Sequence, residues 1–469
     1  MAEEWSPIVI SATFTPATAN VGDSVLLQVI VLDVQTIEQE EIRVSGEFQS
    51  GEVQFMSITT VKATFDGQEY TLTFNETTRK YETVIVPAKT SHNEEGGYFN
   101  TEITATNDKG VSTTTDETNI PGLRLTVQEE VPPTIQLLSP AEGILTTNVP
   151  TFVVEAFDEE NGSGIDPSSL SMLIDGVEGD ISTQATEKGY QFTYTPRNEL
   201  SEGNHSLTAS IQDNDGNQAN LSSVYIVDTV PPELTVHEYR QIVDDESITV
   251  EGVTKDVTTS PVTLLVGGEE AAIDKHGQFS HTVSLRVGEN YITVTATDKA
   301  GLSSSFRLYV IRLITDRIQA DIEELLTILS KEDQTEEELI QLAQTSYKGA
   351  YNETDMNRVT TAAEFLSDSL YSRGYINPYV PVNPGPGRDY WVKEDKSTLE
   401  QSEGYVSNVK RIRETFPFVP DLPEAPSDMQ SFTFQEANNL EKILVQVESM
   451  FQWMDKSYLM AGEAMCGEF

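Results

Sequence analysis

The chain is poor in cysteine and in basic residues, and each shortage excludes a class of protein. Cys466 is the only cysteine among 469 residues, so no disulfide can form within the chain and packing alone must hold its domains. The 29 lysines and arginines face 76 aspartates and glutamates, which gives a formal net charge of −47. Such a surface repels nucleic-acid phosphates and anionic lipid head groups. We therefore expect no nucleic-acid binding and no membrane insertion.

The sequence also lacks targeting features. Its first residues, MAEEWSPIVI, contain neither a basic segment nor a long apolar core. No segment approaches the roughly eighteen consecutive apolar residues that a membrane helix needs. We expect a protein that is made in the cytosol without a signal peptide.

Catalytic motifs are absent as well. The five histidines, at positions 92, 205, 237, 276 and 281, show no metal-ligand spacing such as HExxH. There is no phosphate-binding glycine loop, no dinucleotide fingerprint and no nucleophile elbow. Cys466 has no histidine near it in the sequence that could activate it. We expect no enzymatic activity, no catalytic residue and no organic cofactor.

The first three hundred residues have the pattern of an all-β protein. Short runs of β-branched and aromatic residues alternate with clusters of glycine, asparagine, aspartate and proline, which is typical of serial β-sandwiches. Segments starting at Tyr98, His205 and Glu289 each read as a strand, an Asp/Asn-Gly turn and a second strand. That order predicts a β-hairpin near the end of each of three domains.

Paired prolines mark the joints between these domains. Pro132-Pro133 and Pro231-Pro232 fix the backbone and predict short, stiff connectors. We place the domains at residues 1–128, 131–229 and 231–312, with a helical region at 313–469. The predicted fold class is mainly β, with three tandem Ig-like β-sandwich domains followed by a small α-helical C-terminal region.

One turn of the second domain is a candidate calcium site. Asp213 and Asp215 alternate with asparagines and a glycine, but Val224 stands where an EF-hand would place its glutamate. An Asx-type hairpin turn explains the same residues. A second acidic loop of this domain would support calcium if both loops lie at one end, and it contains Asp158, Glu159, Glu160 and Asp166. We otherwise expect no cofactor and no metal.

The pattern becomes helical after Val310. Aliphatic residues three or four positions apart predict one helix, and they are Ile311, Ile314, Ile318, Ile322, Leu325 and Leu329. Three successive glutamates from Glu336 predict the start of a second helix through Leu342, since acidic residues suit the first turn of a helix.

A motif then repeats with an offset of 81 residues, as YNETDMNRV from Tyr351 and FTFQEANNL from Phe432. A weaker middle copy begins at Trp391, with Asp395 and Leu399 at an offset of 40 from the first copy. Each copy predicts a cap followed by an amphipathic helix. These helices must pack together or against a partner chain. The proline-rich linkers between them are either ordered surface loops or segments that wrap a neighbouring subunit.

Two sets of residues are candidates for an assembly interface. Asn357, Arg358 and Asn438 lie near the predicted helix starts, where we expect the docking surface. The segments SGEFQSGEV from Ser45 and AGEAMCGEF at the C-terminus share the spacing of two Gly-Glu pairs. This is either chance in an acidic protein or a strand type that pairs with a neighbouring chain. The C-terminal candidates are Gly462, Glu463, Gly467 and Glu468.

Several segments resemble known families. VGENYITVTATDKAG and DTVPPELTV resemble the last hairpin and the junction of bacterial Ig-like domains, which occur on cell-surface proteins and phage virions. KGAYNETDMNRVTTAAEFLSDSLYSRGY, WVKEDKSTLEQSEGYVSNVKRIRETFPFVP and FTFQEANNLEKILVQVESMFQWM resemble, in this order, helical segments of tail-associated structural proteins from phages and prophages of Gram-positive bacteria. The middle segment departs from the pattern, with Ser397 and Thr398 where the first copy has Asn357 and Arg358.

The resemblance implies a virion structural protein of the tail, neck or baseplate, either a decoration or a fibre-like component. Its helical region would dock it, and its Ig-like domains would project. The implied partners are other virion proteins and further copies of the chain in the particle, with a host-surface glycan as another candidate. The implied location is the virion, after synthesis in the host cytoplasm. The alternative is a bacterial cell-surface adhesin or spacer, against which the missing export and sorting signals argue. The non-catalytic part of a glycan-active enzyme is a third class.

Overall fold

The computed structural model describes residues 6–34, 57–343, 348–393, 395, 397–416, 419, 421–430 and 432–465. Contacts divide the chain into two compact units, Met1–Thr229 and Val230–Phe469. The first unit contains two β-sandwiches, and the second contains a third sandwich together with the helices. The expected fold class, three Ig-like sandwiches followed by a helical region, is confirmed.

The described part of the first domain contains nine strands in the order β1-β3-β6-β5-β4-β7-β9-β2, with β8 paired to β7. Period-two alternation explains its core, because every second side chain of β3, from Val25 to Val31, is buried. The strands are β1 Ser6–Thr15, β2 Thr18–Asn20, β3 Val25–Val34, β4 Ile58–Phe65, β5 Gln68–Asn75, β6 Lys80–Ile85, β7 Phe99–Asn107, β8 Ser112–Thr115 and β9 Arg124–Gln128.

The second domain packs a four-stranded sheet, β10-β12-β16-β15, on a five-stranded sheet, β11-β18-β17-β13-β14. Its core contains the fully buried rings of Phe152, Tyr194 and Tyr225. The strands are β10 Thr134–Ser139, β11 Gly143–Leu145, β12 Phe152–Phe157, β13 Ile165–Ile174, β14 Val177–Glu178, β15 Asp180–Ala185, β16 Gly189–Thr195, β17 Gly203–Asp213 and β18 Gln218–Val227.

The third domain packs β19-β21-β24 on β20-β26-β25-β22-β23. In each of the three domains a short early strand pairs in parallel with the last strand, as β2 with β9, β11 with β18 and β20 with β26. The strands are β19 Glu233–Val236, β20 Ile242–Val243, β21 Ser247–Lys255, β22 Thr263–Val266, β23 Glu269–Ala271, β24 Gln278–Ser284, β25 Gly288–Thr297 and β26 Ser303–Arg312.

The three predicted hairpins are present and use the same turn. Asn107, Asp213 and Asp298 each accept a hydrogen bond on the side chain from the backbone N–H four residues later, over 2.8–3.0 Å. The third residue after each of these is a glycine with φ between 80° and 94°. Since glycine adopts positive φ without strain, the Asp/Asn-x-x-Gly pattern dictates this turn.

Within the described residues, the helical region contains five helices: α1 Gln319–Leu329, α2 Glu336–Ala343, α3 Glu353–Ser372, α4 Leu399–Glu414 and α5 Phe434–Met465. The helix α2 begins at the predicted glutamates. The prediction that a helix begins at Ile311 is wrong, because Ile311 lies in β26 and α1 begins only at Gln319. No helix among the described residues is both long and apolar enough to cross a membrane.

The middle repeat has a different register from the one predicted. Thr398 and Gln401 form the capping box of α4, as Asn352 and Asp355 do for α3, so the offset is 46 residues and not 40. Asp395 lies before the helix and pairs with Arg388 at 2.7 Å. The apolar residues follow the corrected register and are buried in both helices, namely Val359 with Tyr405, Ala363 with Val409 and Leu366 with Ile412.

The third sandwich and the helices share a hydrophobic core. Ile242 and Ile311 are fully buried against α3, α4 and α5, whereas the adjacent Val243 and Val310 point into the sandwich. Successive strand residues face opposite sides of a sheet, so this end of the sheet is buried on both faces. The boundary expected at residue 312 is therefore a boundary of secondary structure and not of packing.

Candidate docking and metal-binding sites

A buried cluster of four charged residues, here called the ionic centre, joins the helices to the segment before α1. It consists of Arg317, Asp355, Arg358 and Glu441, each at most 6% exposed. Arg317 Nη2 lies 2.8 Å from both Asp355 Oδ1 and Glu441 Oε1. Arg358 Nη2 lies 2.6 Å and 2.8 Å from the same two oxygens. Two positive and two negative charges therefore balance one another without solvent.

This arrangement contradicts the expected role of Arg358 as an outward docking residue. Burial alone would lower the pKa of the Arg358 guanidinium, but the neighbouring carboxylates of Glu441 and Asp355 raise it above its usual value. The side chain stays charged and paired inside the domain. A partner could reach it only if the ionic centre opened, which would leave buried charges uncompensated.

The two candidate asparagines also bind inside the chain. Asn357 Nδ2 donates to the carbonyl of Trp391, and its Oδ1 accepts from the N–H of the same residue. Asn438 forms the same pair of bonds with the backbone of Arg317, at 2.8 and 3.0 Å. Asn357 and Asn438 are thus structurally equivalent positions of the repeat, but each binds a backbone segment of its own chain. Asn438 is only 6% exposed.

A third asparagine that binds a backbone segment was not predicted from the sequence. Asn408 of α4 forms the same two bonds with the backbone of Val380, each 2.9 Å long. In the corrected register Asn408 aligns with Ala362, five residues after Asn357, so no motif match marks it. All three asparagines satisfy both backbone polar groups of a residue that lies outside the helices and strands.

The C-terminal candidates have a different conformation from the one expected. Gly462 and Glu463 lie in α5, which extends to Met465, and not in a strand. The local composition favours this, since methionine, alanine and glutamate are good helix formers. Gly467, Glu468 and the related segment from Ser45 lie outside the described residues.

Besides Tyr371, Ile376 and Trp453, which are exposed elsewhere in the helical region, an exposed apolar surface lies on α1, α2 and the residue just before α1. Its large aliphatic side chains are 48–59% exposed, and they are Ile318, Leu326, Leu329, Leu339 and Ile340. Only Ile328 of α1 is buried. Residues 319–343 contain eight acidic residues and one lysine, a net charge of −7. We call this surface the α1–α2 face.

The turn proposed for calcium uses its carboxylates as hydrogen-bond acceptors. Asp213 accepts from the backbone N–H and the side-chain amide of Asn217. Asp215 Oδ2 accepts from Thr90 Oγ1 at 2.8 Å and from the Glu129 N–H at 2.9 Å. The Asx-turn interpretation accounts for Asp213, whereas Asp215 ties the second domain to the first and to their connector.

The two acidic loops of the second domain do lie at one end, where three carboxylates meet. One oxygen each of Glu129, Asp158 and Glu159 lies within 4.8 Å of the others. Burial and the adjacent carboxyl groups of Glu129 and Asp158 raise the pKa of Glu159 to about 8. Asp158 and Glu159 belong to the acidic loop predicted from the sequence, whereas Glu129, which follows β9 in the connector, was not predicted.

A related pair of carboxylates occurs within the third domain. Asp256 follows β21 and Asp298 follows β25, and they bring carboxylate oxygens within 4.8 Å of each other. Asp298 is 7% exposed, and its Oδ2 has no hydrogen-bond partner.

Comparison with known proteins supports the Ig-like domains. Residues 133–209 match the family model of a bacterial Ig domain, and residues 232–312 match that of glucodextranase domain B. No curated protein sequence matched the chain.

Similar solved structures include the titin I-band fragment I67–I69, at 12% identity over 67% of this chain and 100% of that one, with a TM-score of 0.30. The fibronectin(III)-like modules of Clostridium thermocellum CbhA share 16% identity over 38% of this chain and 94% of that one, with a TM-score of 0.26. The chain is a protein of Ig-like domains.

Proposed function

We propose that this chain is a structural protein of a phage or prophage virion, associated with the tail, neck or baseplate. Its helical region docks it on the particle, and its Ig-like domains are presented to the surroundings. The observation that carries the proposal is the α1–α2 face, where five large aliphatic side chains are exposed beside a closed helical core. The resemblance of the helical segments to tail-associated proteins supports the virion as the location.

The α1–α2 face fits a partner of defined chemistry. Burying each exposed leucine or isoleucine contributes roughly 1.5–3 kcal/mol, which favours a protein surface over water. The net charge of −7 around these residues opposes contact with the same face of a second copy. We infer that the partner is another particle protein with an apolar patch bordered by lysine and arginine.

Charge-introducing substitutions test this docking without disturbing the core. In the double variant Leu326→Glu/Leu339→Glu, both sites are more than half exposed, so the chain should fold normally. We expect its copy number in purified particles, measured by quantitative mass spectrometry, to fall at least about tenfold. The reason is that losing two leucines that are buried on docking costs more than about 1.4 kcal/mol of binding free energy. Tyr371→Glu, on the exposed side of α3, is the matched control and should incorporate normally. Normal incorporation of the double variant would contradict this docking.

A bacterial cell-surface spacer is the second candidate, and the match of residues 133–209 to a bacterial Ig domain favours it. The two candidates differ in where the chain accumulates. Fractionation of a producing culture should recover the chain with particles that sediment after lysis. Recovery with the cell envelope of unlysed cells would favour the spacer.

A further inference from the structure

We propose that Glu129, Asp158 and Glu159 bind a calcium ion at the connector between the first and second domains. The proposal is independent of the virion assignment, because it rests only on the geometry of this joint. Glu129 comes from the connector after β9, whereas Asp158 and Glu159 come from the loop between β12 and β13. One bound ion would therefore join the connector to the body of the second domain.

Two carboxylate oxygens at this site have no hydrogen-bond partner. Glu129 is 5% exposed, and its Oε1 accepts from the Ser163 N–H while its Oε2 accepts from no group. Asp158 Oδ2 accepts from the Gly164 N–H at 2.7 Å, and its Oδ1 is likewise unpartnered. A buried carboxylate oxygen without a partner is costly, since it has lost water and gained nothing. Both orphaned atoms belong to residues of the cluster.

In the part of the chain that the structure describes, no basic side chain pairs with these carboxylates. Among the described residues, Glu129, Asp158 and Glu159 form no ion pair with lysine, arginine or histidine. Three carboxylates at this separation cannot all be ionised without a counter-charge. A cation supplies that charge while leaving the hydrogen bonds of Glu129 Oε1 and Asp158 Oδ2 in place.

The dimensions and the donor chemistry fit calcium. Oxygens that bind calcium lie about 2.3–2.6 Å from the ion, so any two ligands of one ion are at most roughly 5 Å apart. The three oxygens here lie within 4.8 Å of one another. Calcium accepts an irregular set of carboxylates and waters, whereas magnesium demands a near-ideal octahedron. An all-carboxylate site with one exposed member therefore favours calcium.

Gly162 keeps the site open. A Cβ atom at this position would lie 2.5 Å from Asp158 Oδ2 and 2.9 Å from Glu129 Oε2. The backbone of Gly162 does not have a positive φ, so close approach to the carboxylates explains the glycine.

The first domain contacts the same loop. Asn93 Nδ2 donates to the Gly162 carbonyl at 3.3 Å, and the Thr90 N–H donates to the Asn161 carbonyl at 3.4 Å. These two bonds from the first domain are long. A bound ion would fix the loop and hence the joint.

Calorimetric titration of the full chain, freed of metal on a chelating resin, tests the proposal. We expect calcium to bind with a dissociation constant of about 10⁻⁴ to 10⁻³ M, the range of extracellular calcium modules. Glu129→Gln and Asp158→Asn should each weaken it at least about tenfold, because affinity follows the number of charged ligands. Glu160→Gln, in the same loop but outside the cluster, is the matched control and should bind like the wild type.

Two further measurements distinguish a specific calcium site from diffuse attraction of calcium to an acidic surface and from misfolding of the variants. Gly162→Ala keeps every charge and should still lower the affinity. Calcium should raise the unfolding temperature of the wild type but not of Glu129→Gln, and circular dichroism confirms that each variant is folded. Absence of binding at about 10 mM calcium, ten times the weak end of that range, would overturn the proposal. Equal loss of affinity in Glu160→Gln, or equal binding of magnesium, would overturn it as well.

Discussion

Removing one charge from the ionic centre should destabilise the second unit strongly. Glu441 is fully buried and accepts hydrogen bonds from both arginines and from the Ile314 N–H, the last at 2.6 Å. In Glu441→Gln, Asp355 alone would face two buried guanidinium groups. Breaking a buried ion pair by removing one partner costs about 3–5 kcal/mol. That is a large part of the roughly 5–15 kcal/mol by which a domain is usually stable.

A double-mutant cycle distinguishes charge balance from simple loss of packing. Arg358→Met creates the opposite imbalance, with two carboxylates facing Arg317, and should also cost about 3–5 kcal/mol. The double variant Arg358→Met/Glu441→Gln leaves Arg317 paired with Asp355 at 2.8 Å, so the charges balance again. We expect it to be more stable than the sum of the single effects implies, by about 1–3 kcal/mol.

Urea unfolding of the full chain, followed by tryptophan fluorescence, is a suitable assay. Trp391 is 4% exposed in the helical region, so its emission reports on the packing of this unit. Asp316→Asn is the control, because Asp316 forms only an exposed pair with Lys348 and should cost less than about 1 kcal/mol. Single variants that cost as little as this control, or strictly additive effects in the double variant, would refute the reasoning.

Two other predictions follow from the packing and from a buried histidine. Deleting residues 313–469 should expose Ile242 and Ile311 to water. The third sandwich should then unfold at a lower urea concentration than in the full chain, as measured by hydrogen exchange of its strands. Equal protection of these strands from exchange in both chains would contradict the shared core. For His205, burial lowers the pKa, but the Ser201 carbonyl at 2.8 Å and Asp175 at 2.6 Å outweigh it and raise the pKa above 6.5. The stabilising contribution of His205 is full below its unfolded pKa and is lost as pH rises through its higher folded pKa. The calorimetric unfolding temperature of the second domain should therefore fall as pH rises above about 6.5 in the wild type, and it should change less in His205→Gln.

The sandwiches could be predicted because their signals are local. Alternation along a strand such as β3 and the Asp/Asn-x-x-Gly turns depend on residues within ten positions of one another. The prediction that a helix begins at Ile311 was wrong because it too used only local signals. Ile311, Ile314 and Ile318 have helical spacing, but the buried face of Ile311 is set by its parallel neighbour Ile242, far away in the sequence. Short aliphatic runs do not separate a strand end from a helix start.

The sites could not be predicted because their partners are distant. Charged residues are usually exposed, so Arg358 suggested a surface role. Its buried partner Glu441 lies 83 residues later in the chain. Glu129 is one of 76 acidic residues, and nothing local distinguishes it from Glu130. Only the fold shows that its carboxylate turns inward towards Asp158.

The proline-rich linkers decide where docking can occur. The first linker is bound by its own chain, since Asn408 holds Val380 and Arg411 Nε donates to the Pro378 carbonyl at 2.6 Å. In the second linker, the Pro423 carbonyl accepts from Arg413 Nε at 2.6 Å, and Leu422 is buried. This favours ordered loops over segments that wrap a neighbour.

The linker contacts made by Pro378, Val380, Leu422 and Pro423, the ionic centre and the backbone-binding asparagines are therefore used within one chain. Each would have to be released before a partner could bind it, at the cost of orphaned hydrogen bonds or charges. The α1–α2 face requires no such release, because its aliphatic side chains are already in water. Association at that face gains free energy from apolar burial without unfolding anything, so docking should begin there.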